Sequence, residues 1–273
     1  MKILVTGANG YLGSLFFAEF QSKYEVLGIS RSSPANRGIT QIDLRDRISV
    51  LECVRMFRPE VIIHGAAIAS VQTCEKRARE AVLINTEGSL TVARAANEVG
   101  AKLILISSLA ASRPGDLYGR SKRDAEEGVR AVSDRFEIVR LSMTFGLTPN
   151  TESRRPFNKI LGTRCAGSPR GYDNTWSFQP THTEHVVKVL DRLVESRAQG
   201  RVISIVADER VTMYRLASDI LFPQKICQSR SYCDRQEIVV DTSELSEQGF
   251  PRCRYSNMVN RIRAQLAGCQ GDK

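Results

Sequence analysis

Short runs of apolar, largely β-branched residues alternate with longer helix-compatible segments through the first half of the chain. The runs are KILVT (2–6), EVLGIS (25–30), ITQID (39–43), EVIIHG (60–65), KLILISS (102–108) and FEIVRLS (136–142), and the helical segments span about 11–22, 46–57, 81–99 and 118–132. Strands that are apolar along their whole length and separated by helices pair in parallel, with the crossover helices covering both faces. The pattern predicts an α/β, doubly wound parallel sheet over residues 1–146. After Gly146, turn formers and arginines concentrate in LTPNTESRRPFNK and GSPRGYDNTW, which predicts a smaller mixed region over 147–273. Within it, RVISIV (201–206) reads as a strand, TMYRLASDIL (212–221) as an amphipathic helix and 181–194 as a helix, with 180–206 expected to pack back on the first domain.

The segment TGANGYLG (6–13) follows the first strand and opens the first helix. Glycine there lets backbone approach a pyrophosphate, and the helix N-terminus offers amide donors to its negative charge. This Rossmann-like junction predicts a bound dinucleotide, with Gly7, Asn9, Gly10, Tyr11, Leu12 and Gly13 along it. A tight turn with close helix packing is the structural alternative, and it accounts for Gly13 better than for Gly7 or Gly10. The second strand ends in Ser30-Arg31-Ser32, without the carboxylate that would hold a free ribose 2′-hydroxyl. Arg31 can pair with a 2′-phosphate, so NADP(H) is favoured, with NAD(H) left open. Asp43, followed by Leu44, is placed for the adenine; the competing reading makes Asp43 a helix N-cap.

Tyr118 and Lys122 share one helix face, just beyond the strand that ends in Ser107-Ser108. Strand ends on this side of an open sheet line the ligand crevice. A nearby ammonium favours the phenolate of a tyrosine, and a serine hydroxyl can hold the oxygen that receives its proton.

Composition restricts partners more than it identifies them. The chain has 273 residues, 42% hydrophobic and 25% charged, with no apolar run near the roughly 20 residues that cross a bilayer. A cytoplasmic protein without membrane attachment is expected. The net charge of +9 divides into 20 basic against 16 acidic residues in 1–150 and 19 against 14 in 151–273, so no basic stripe points to nucleic acid. Seven cysteines, at 53, 74, 165, 227, 233, 253 and 269, form no C-x-x-C pair, and neither a disulfide framework nor a metal site is expected.

With TGANGYLG, HGAA (64–67), NTEGSLTVARAANEVGAKLILISS (85–108), YGRSK (118–122) and VRLSMTFG (139–146), the chain resembles the extended short-chain dehydrogenase/reductases, the NAD-dependent epimerase/dehydratase family. The second half, through QPTHTEHVVKVL (179–190), GRVISIVADERVTMYRLASDIL (200–221) and VDTSELSEQGFP (240–251), is most similar to the dTDP-4-dehydrorhamnose reductase branch. The resemblance implies Ser108 as the substrate-orienting serine, Tyr118 as acid/base, Lys122 as the group that lowers its pKa and holds the nicotinamide ribose, and Asn85 in support. Ala66 and Ala67 would lie along the cofactor. The implied reaction is NADPH-dependent reduction of a 4-keto group on a nucleotide-linked deoxysugar. The resemblance also leaves a homodimer open, through helices 81–99 and 118–132, with Ala93, Ala95 and Ala96 small enough for close packing.

Several features depart from that pattern. Only ten positions separate Ser108 from Tyr118, where relatives carry a longer loop over the substrate. Leu109 and Ala110 replace the acid of the dehydratase branch, which argues against water elimination. His185 stands where relatives have aspartate and reads as a helix-start histidine with local hydrogen bonds; His64 and His182 read as structural too. Trp176 fits either a sugar face or packing, and Arg154, Arg155, Arg164, Arg170 and Arg210 are candidates for a diphosphate clamp. Two other readings stay open: a 4-epimerase with bound NAD, and a catalytically idle NADP-binding regulatory subunit.

Overall fold

The computed structural model describes residues 1–32, 37–152, 155–166, 170–224, 227–231 and 238–268. In chain order the strands are β1 (Lys2–Thr6), β2 (Glu25–Ser30), β3 (Ile39–Gln41), β4 (Val61–His64), β5 (Lys102–Ser108), β6 (Phe136–Leu141), β7 (Thr144–Phe145), β8 (Arg170–Asp173), β9 (Ser177–Phe178), β10 (Thr181–His182), β11 (Arg201–Ile205), β12 (Val211–Thr212) and β13 (Cys227–Arg230). The α-helices are α1 (Tyr11–Phe20), α2 (Arg47–Phe57), α3 (Val71–Lys76), α4 (Ala78–Ala81), α5 (Gly88–Val99), α6 (Leu117–Val132), α7 (Pro156–Ala166), α8 (Thr183–Glu195), α9 (Met213–Leu221), α10 (Ser243–Glu247) and α11 (Tyr255–Gly268). A π-helical turn, Val82–Glu87, joins α4 to α5.

The chain divides into two compact units, the first comprising Met1–Leu141, Thr148–Asn150 and Leu190–Ser204. Its seven-stranded sheet has the order β11-β6-β5-β4-β1-β2-β3, and the pairs from β1 through β6 are parallel. The chain builds outward from β1 to β3 and then returns to place β4 on the other side of β1. Strand order therefore reverses between β1 and β4, the position where open sheets form their ligand crevice.

Leu4, Ile62, Leu103, Leu105 and Ile138 from the sheet pack with Val50, Val54, Val92, Ala93 and Ala96 from α2 and α5 in one core. Ala93 and Ala96 are fully buried and Ala95 is 1% exposed, so these small residues serve contact within the subunit and are not available as a dimer surface. Asp46 caps α2 by accepting from Ser49 N at 3.1 Å, and Asp116 caps α6 by accepting from Gly119 N at 2.7 Å. At the N-terminal end of β5, an interior strand, Lys102 is buried. Its Nζ donates to the carbonyls of Leu193, Ser196 and Ala198 at 2.8–3.0 Å and stands 3.6 Å from the buried Glu137, which also pairs with Arg201.

The second unit comprises Ser142–Leu147, Thr151–Val189 and Ile205–Lys273. Among its described residues three two-stranded ladders form, β7 with β10, β9 with β12 and β8 with β13. An aromatic column runs from Trp176 over Phe178, with centroids 5.1 Å apart, to Phe145, 6.0 Å further.

Several element boundaries differ from expectation. The segment expected as one helix over 81–99 is interrupted by the π turn at Val82–Glu87. The end of α4 and all of α5 flank it. Residues 181–194 open with the short β10 before α8. The strand over 39–43 stops at Gln41, because Asp43 turns back to accept from Arg45 N and Arg45 Nε, both at 3.0 Å.

Candidate active site

At the end of β1, Gly7 has φ +71°, and a Cβ there would lie 2.8 Å from Ala66 Cα. Gly10 donates its amide to Gly7 O at 2.7 Å, and a Cβ on Gly13 would strike that same carbonyl. Packing thus accounts for Gly7 as well as Gly13, where the tight-turn reading was expected to account for Gly13 better than for Gly7. Gly10 gives α1 no side-chain cap, which leaves its first-turn amides suited to an anion. Asn9 Nδ2 reaches Ser32 O at 3.5 Å and Ser32 Oγ at 3.1 Å, tying the glycine turn to the end of β2. Tyr11 is buried and Leu12 partly exposed in the same turn of α1. These residues fit a dinucleotide pyrophosphate.

Arg31 and Asp43, both expected to face the adenosine end, are engaged with other side chains. Arg31 Nη1 lies 2.9 Å from Glu80 Oε1, and Arg45 grips Asp43, holding its carboxyl below its ordinary pKa. The helix cap considered for Asp43 belongs to Asp46. Leu44 is buried in the core, and Ala66 and Ala67 follow β4 as partly buried residues.

Ser108 ends β5 and accepts from Ala110 N at 3.2 Å, which leaves its own O–H to donate. The connection to α6 is a 3-10 turn, Leu109–Ala111, pinned by Arg123, which donates to Ala111 O at 2.9 Å and Ser112 O at 2.6 Å. A Cβ on Gly119 would lie 2.8 Å from Ala110 O, so glycine after Tyr118 is what lets so short a connection close. Tyr118 is partly buried in the first turn of α6. Lys122, one turn later, is 3% exposed and donates to Ile106 O at 2.7 Å. Burial pushes its pKa down to about 8 against an opposing effect of Glu126. Glu126 is buried with it, accepting from Ser107 Oγ at 2.5 Å and from Arg140 Nη2 at 2.6 Å.

Asn85 is fully buried on the π turn. Its Oδ1 accepts from Ile68 N at 2.8 Å, while Nδ2 donates to Ile68 O at 3.1 Å and to Ser121 Oγ at 3.0 Å. Ser121 in turn donates to Tyr118 O at 2.8 Å, so Asn85 supports α6 beneath Tyr118.

His64, read from the sequence as structural, has that role, and its partners are specific. Ser89 Oγ donates to Asn85 O at 2.6 Å, and that carbonyl can only accept, so Ser89 Oγ accepts from His64 Nε2–H at 2.9 Å. His64 Nδ1 is left to accept from Thr6 Oγ1 at 2.6 Å, and Thr6 Oγ1 accepts from Ala66 N at 3.2 Å. One neutral imidazole links β1, β4 and the π turn. Burial, followed by Lys122's charge, lowers its pKa to about 3. The only sequence signal was its position at the end of a buried strand.

In the second unit a pocket of about 490 Å³ is lined by residues that include Lys159, Arg170, Tyr172, Asp173, Trp176 and Arg230. Among the described residues, Arg170 is the one arginine of those considered for a diphosphate that lines it. Arg164 donates to Leu266 O at 3.1 Å and Arg210 to Ser177 Oγ at 2.8 Å, Arg155 is partly buried at the start of α7, and Arg154 lies outside the described residues. His185 makes a long-range bond where a local one was expected, its Nε2–H donating to Pro251 O at 2.7 Å. His182 is buried, its pKa lowered to about 4 by burial.

Comparison with known proteins adds a family and a fold. The profile of the family described as RmlD substrate binding domain matches residues 1–271. "Methionine adenosyltransferase 2 subunit beta" from Xenopus laevis is 28% identical over 234 residues, 79% of this chain and 70% of that protein. The structure of dTDP-4-dehydrorhamnose reductase from Bacillus anthracis in complex with NADP superimposes with a TM-score of 0.83 at 21% identity, covering 97% of this chain and 98% of the other. UDP-glucose 4-epimerase from Thermotoga maritima, with UDP-glucose, gives 0.84 at 18% identity over 99% and 100%.

Proposed function

The chain belongs to the RmlD substrate binding domain family, within the extended short-chain dehydrogenases/reductases, and from that premise we propose that it is an NADP(H)-dependent reductase of a 4-keto group on a nucleotide-linked deoxysugar. The observation that carries the reading is that Ser108 ends β5 while Tyr118 and Lys122 lie in the first turns of α6, with Lys122 buried and bonded to Ile106 O of β5.

Gly7, Gly10, Gly13 and the first-turn amides of α1 would hold the pyrophosphate, with Arg31 toward the adenosine end. When bound, the dinucleotide supplies the hydride. Ser108 donates to the carbonyl oxygen and holds it beside Tyr118, whose phenol passes its proton to that oxygen as it gains charge. The ammonium of Lys122 stabilises the phenolate left behind. Asn85 acts through Ser121 and the Ile68 backbone as a positioning residue. Residues 147–273 form the substrate-binding region in this reading. The cations Lys159, Arg170 and Arg230 of the second-unit pocket suit a diphosphate, and Trp176 suits a planar or sugar surface.

The test follows NADPH oxidation with a panel of nucleotide-linked 4-keto sugars. The parent turns over at least one, and Tyr118→Phe lowers kcat by about 100-fold or more while NADPH still binds. An unchanged rate for Tyr118→Phe on a substrate the parent accepts overturns the assignment. The relative named as a methionine adenosyltransferase beta subunit supports a second reading, a dinucleotide-binding regulatory subunit. That reading gains if the parent binds NADPH, reduces none of the panel, and changes the activity of a methionine adenosyltransferase mixed with it.

A further inference from the structure

Three guanidinium groups converge on the carboxylate of Glu80 in α4. Arg31 Nη1 lies at 2.9 Å, Arg77 Nη1 at 3.4 Å and Arg45 Nη1 at 4.0 Å. The Glu80 side chain is 21% exposed against 45–63% for the arginines, so it is the inner member of the group. The cluster adjoins the glycine turn: Arg31 directly follows β2, its carbonyl accepts from Gln41 Nε2 at 3.1 Å, and the next residue, Ser32, is held by Asn9.

Dinucleotide folds distinguish a free ribose 2′-hydroxyl from a 2′-phosphate near the end of the second strand, by a carboxylate in the first case and an arginine in the second. Here the strand supplies the arginine, and a carboxylate from a different element is already paired with it. We infer that Glu80 is a specificity-determining residue that restrains the preference for the phosphorylated dinucleotide. The inference rests on the dinucleotide-binding reading of the glycine turn. A dianionic 2′-phosphate engages Arg31 against the like charge of Glu80, whereas a free 2′-hydroxyl finds an acceptor in Glu80. Neutralising Glu80 releases Arg31 to the phosphate, while Arg45 stays paired with Asp43.

The experiment measures dissociation constants of NADPH and NADH for the parent, Glu80→Gln and Arg31→Gln by nicotinamide fluorescence at low ionic strength. Glu80→Gln tightens NADPH about fivefold, the scale of one exposed ion pair, without tightening NADH, and added salt erases the gain. Arg31→Gln weakens NADPH and leaves NADH within about twofold. An NADPH-to-NADH preference in Glu80→Gln equal to or below the parent's overturns the inference while leaving dinucleotide binding intact. An Arg31→Gln variant with parental preference overturns it too, since Glu80 would then have no phosphate contact to oppose. A parent that binds neither nucleotide overturns the dinucleotide reading and the inference together.

Discussion

The ammonium of Lys122 donates to the carbonyl of Ile106 at 2.7 Å, which ties α6 to β5 two residues before Ser108. The bond sits in a buried environment that holds the lysine's pKa near 8, so its charge is lost within an accessible pH range. If that charge supports the Tyr118 phenolate, kcat/KM for NADPH-dependent reduction declines as pH rises through about 8. Arginine stays protonated there. Lys122→Arg therefore loses the alkaline decline even where its plateau is lower. A pH–rate profile of both proteins checks this, and an identical alkaline limb in the two would remove Lys122 from the explanation.

His64 makes stability fall in acid. Its pKa is about 3 in the folded chain and near 6.5 when exposed, so the unfolded chain binds the extra proton between those values. The contribution is fully present above about 6.5 and is lost as pH falls toward 3. Urea unfolding from pH 7 to pH 4 should show a shallower loss for His64→Gln than for the parent. Equal slopes would mean that the imidazole titrates normally in the fold.

Gly7→Ala should destabilise the chain by about 2–3 kcal/mol, because alanine is strained at φ +71° and its methyl would press on the Ala66 backbone. Thermal unfolding gives the magnitude. A variant as stable as the parent would show that the turn relaxes freely.

Lys102→Met should lower stability by about 3 kcal/mol or more, since three carbonyls lose their donor and Glu137 loses one of its two cationic partners. Denaturant unfolding of Lys102→Met, Glu137→Gln and the double variant measures the coupling. Additive losses would show that the two side chains act separately.

The parallel sheet was legible because β1, β4 and β5 carry uninterrupted apolar runs at 3–5, 61–63 and 103–106, and periodicity responds to that directly. The sequence also located the end of β5 and the start of α6 to within a residue, which is what makes Ser108, Tyr118 and Lys122 candidates. Periodicity could not show the π turn, whose residues match an α-helical pattern, nor that Ala93 and Ala96 are buried in the chain's own core. The partners of Arg31 and Asp43 were illegible for another reason. Glu80 is 49 residues from Arg31, and such pairings follow from topology without leaving a local trace. His185 to Pro251, 66 residues apart, escaped in the same way.

The π turn at Val82–Glu87 makes the support of the site a matter of chain length as well as residue identity. Such a turn carries about one residue more than an α-helix of equal rise, and one residue in an α-helix corresponds to a rotation of about 100°. Losing a single residue from this turn, even the exposed Glu87, would let α4 and α5 run on as one regular helix. Asn85 would then swing away from Ile68 or from Ser121, and an in-frame codon deletion at a solvent-facing position would act like a mutation of the most deeply buried amide in the site.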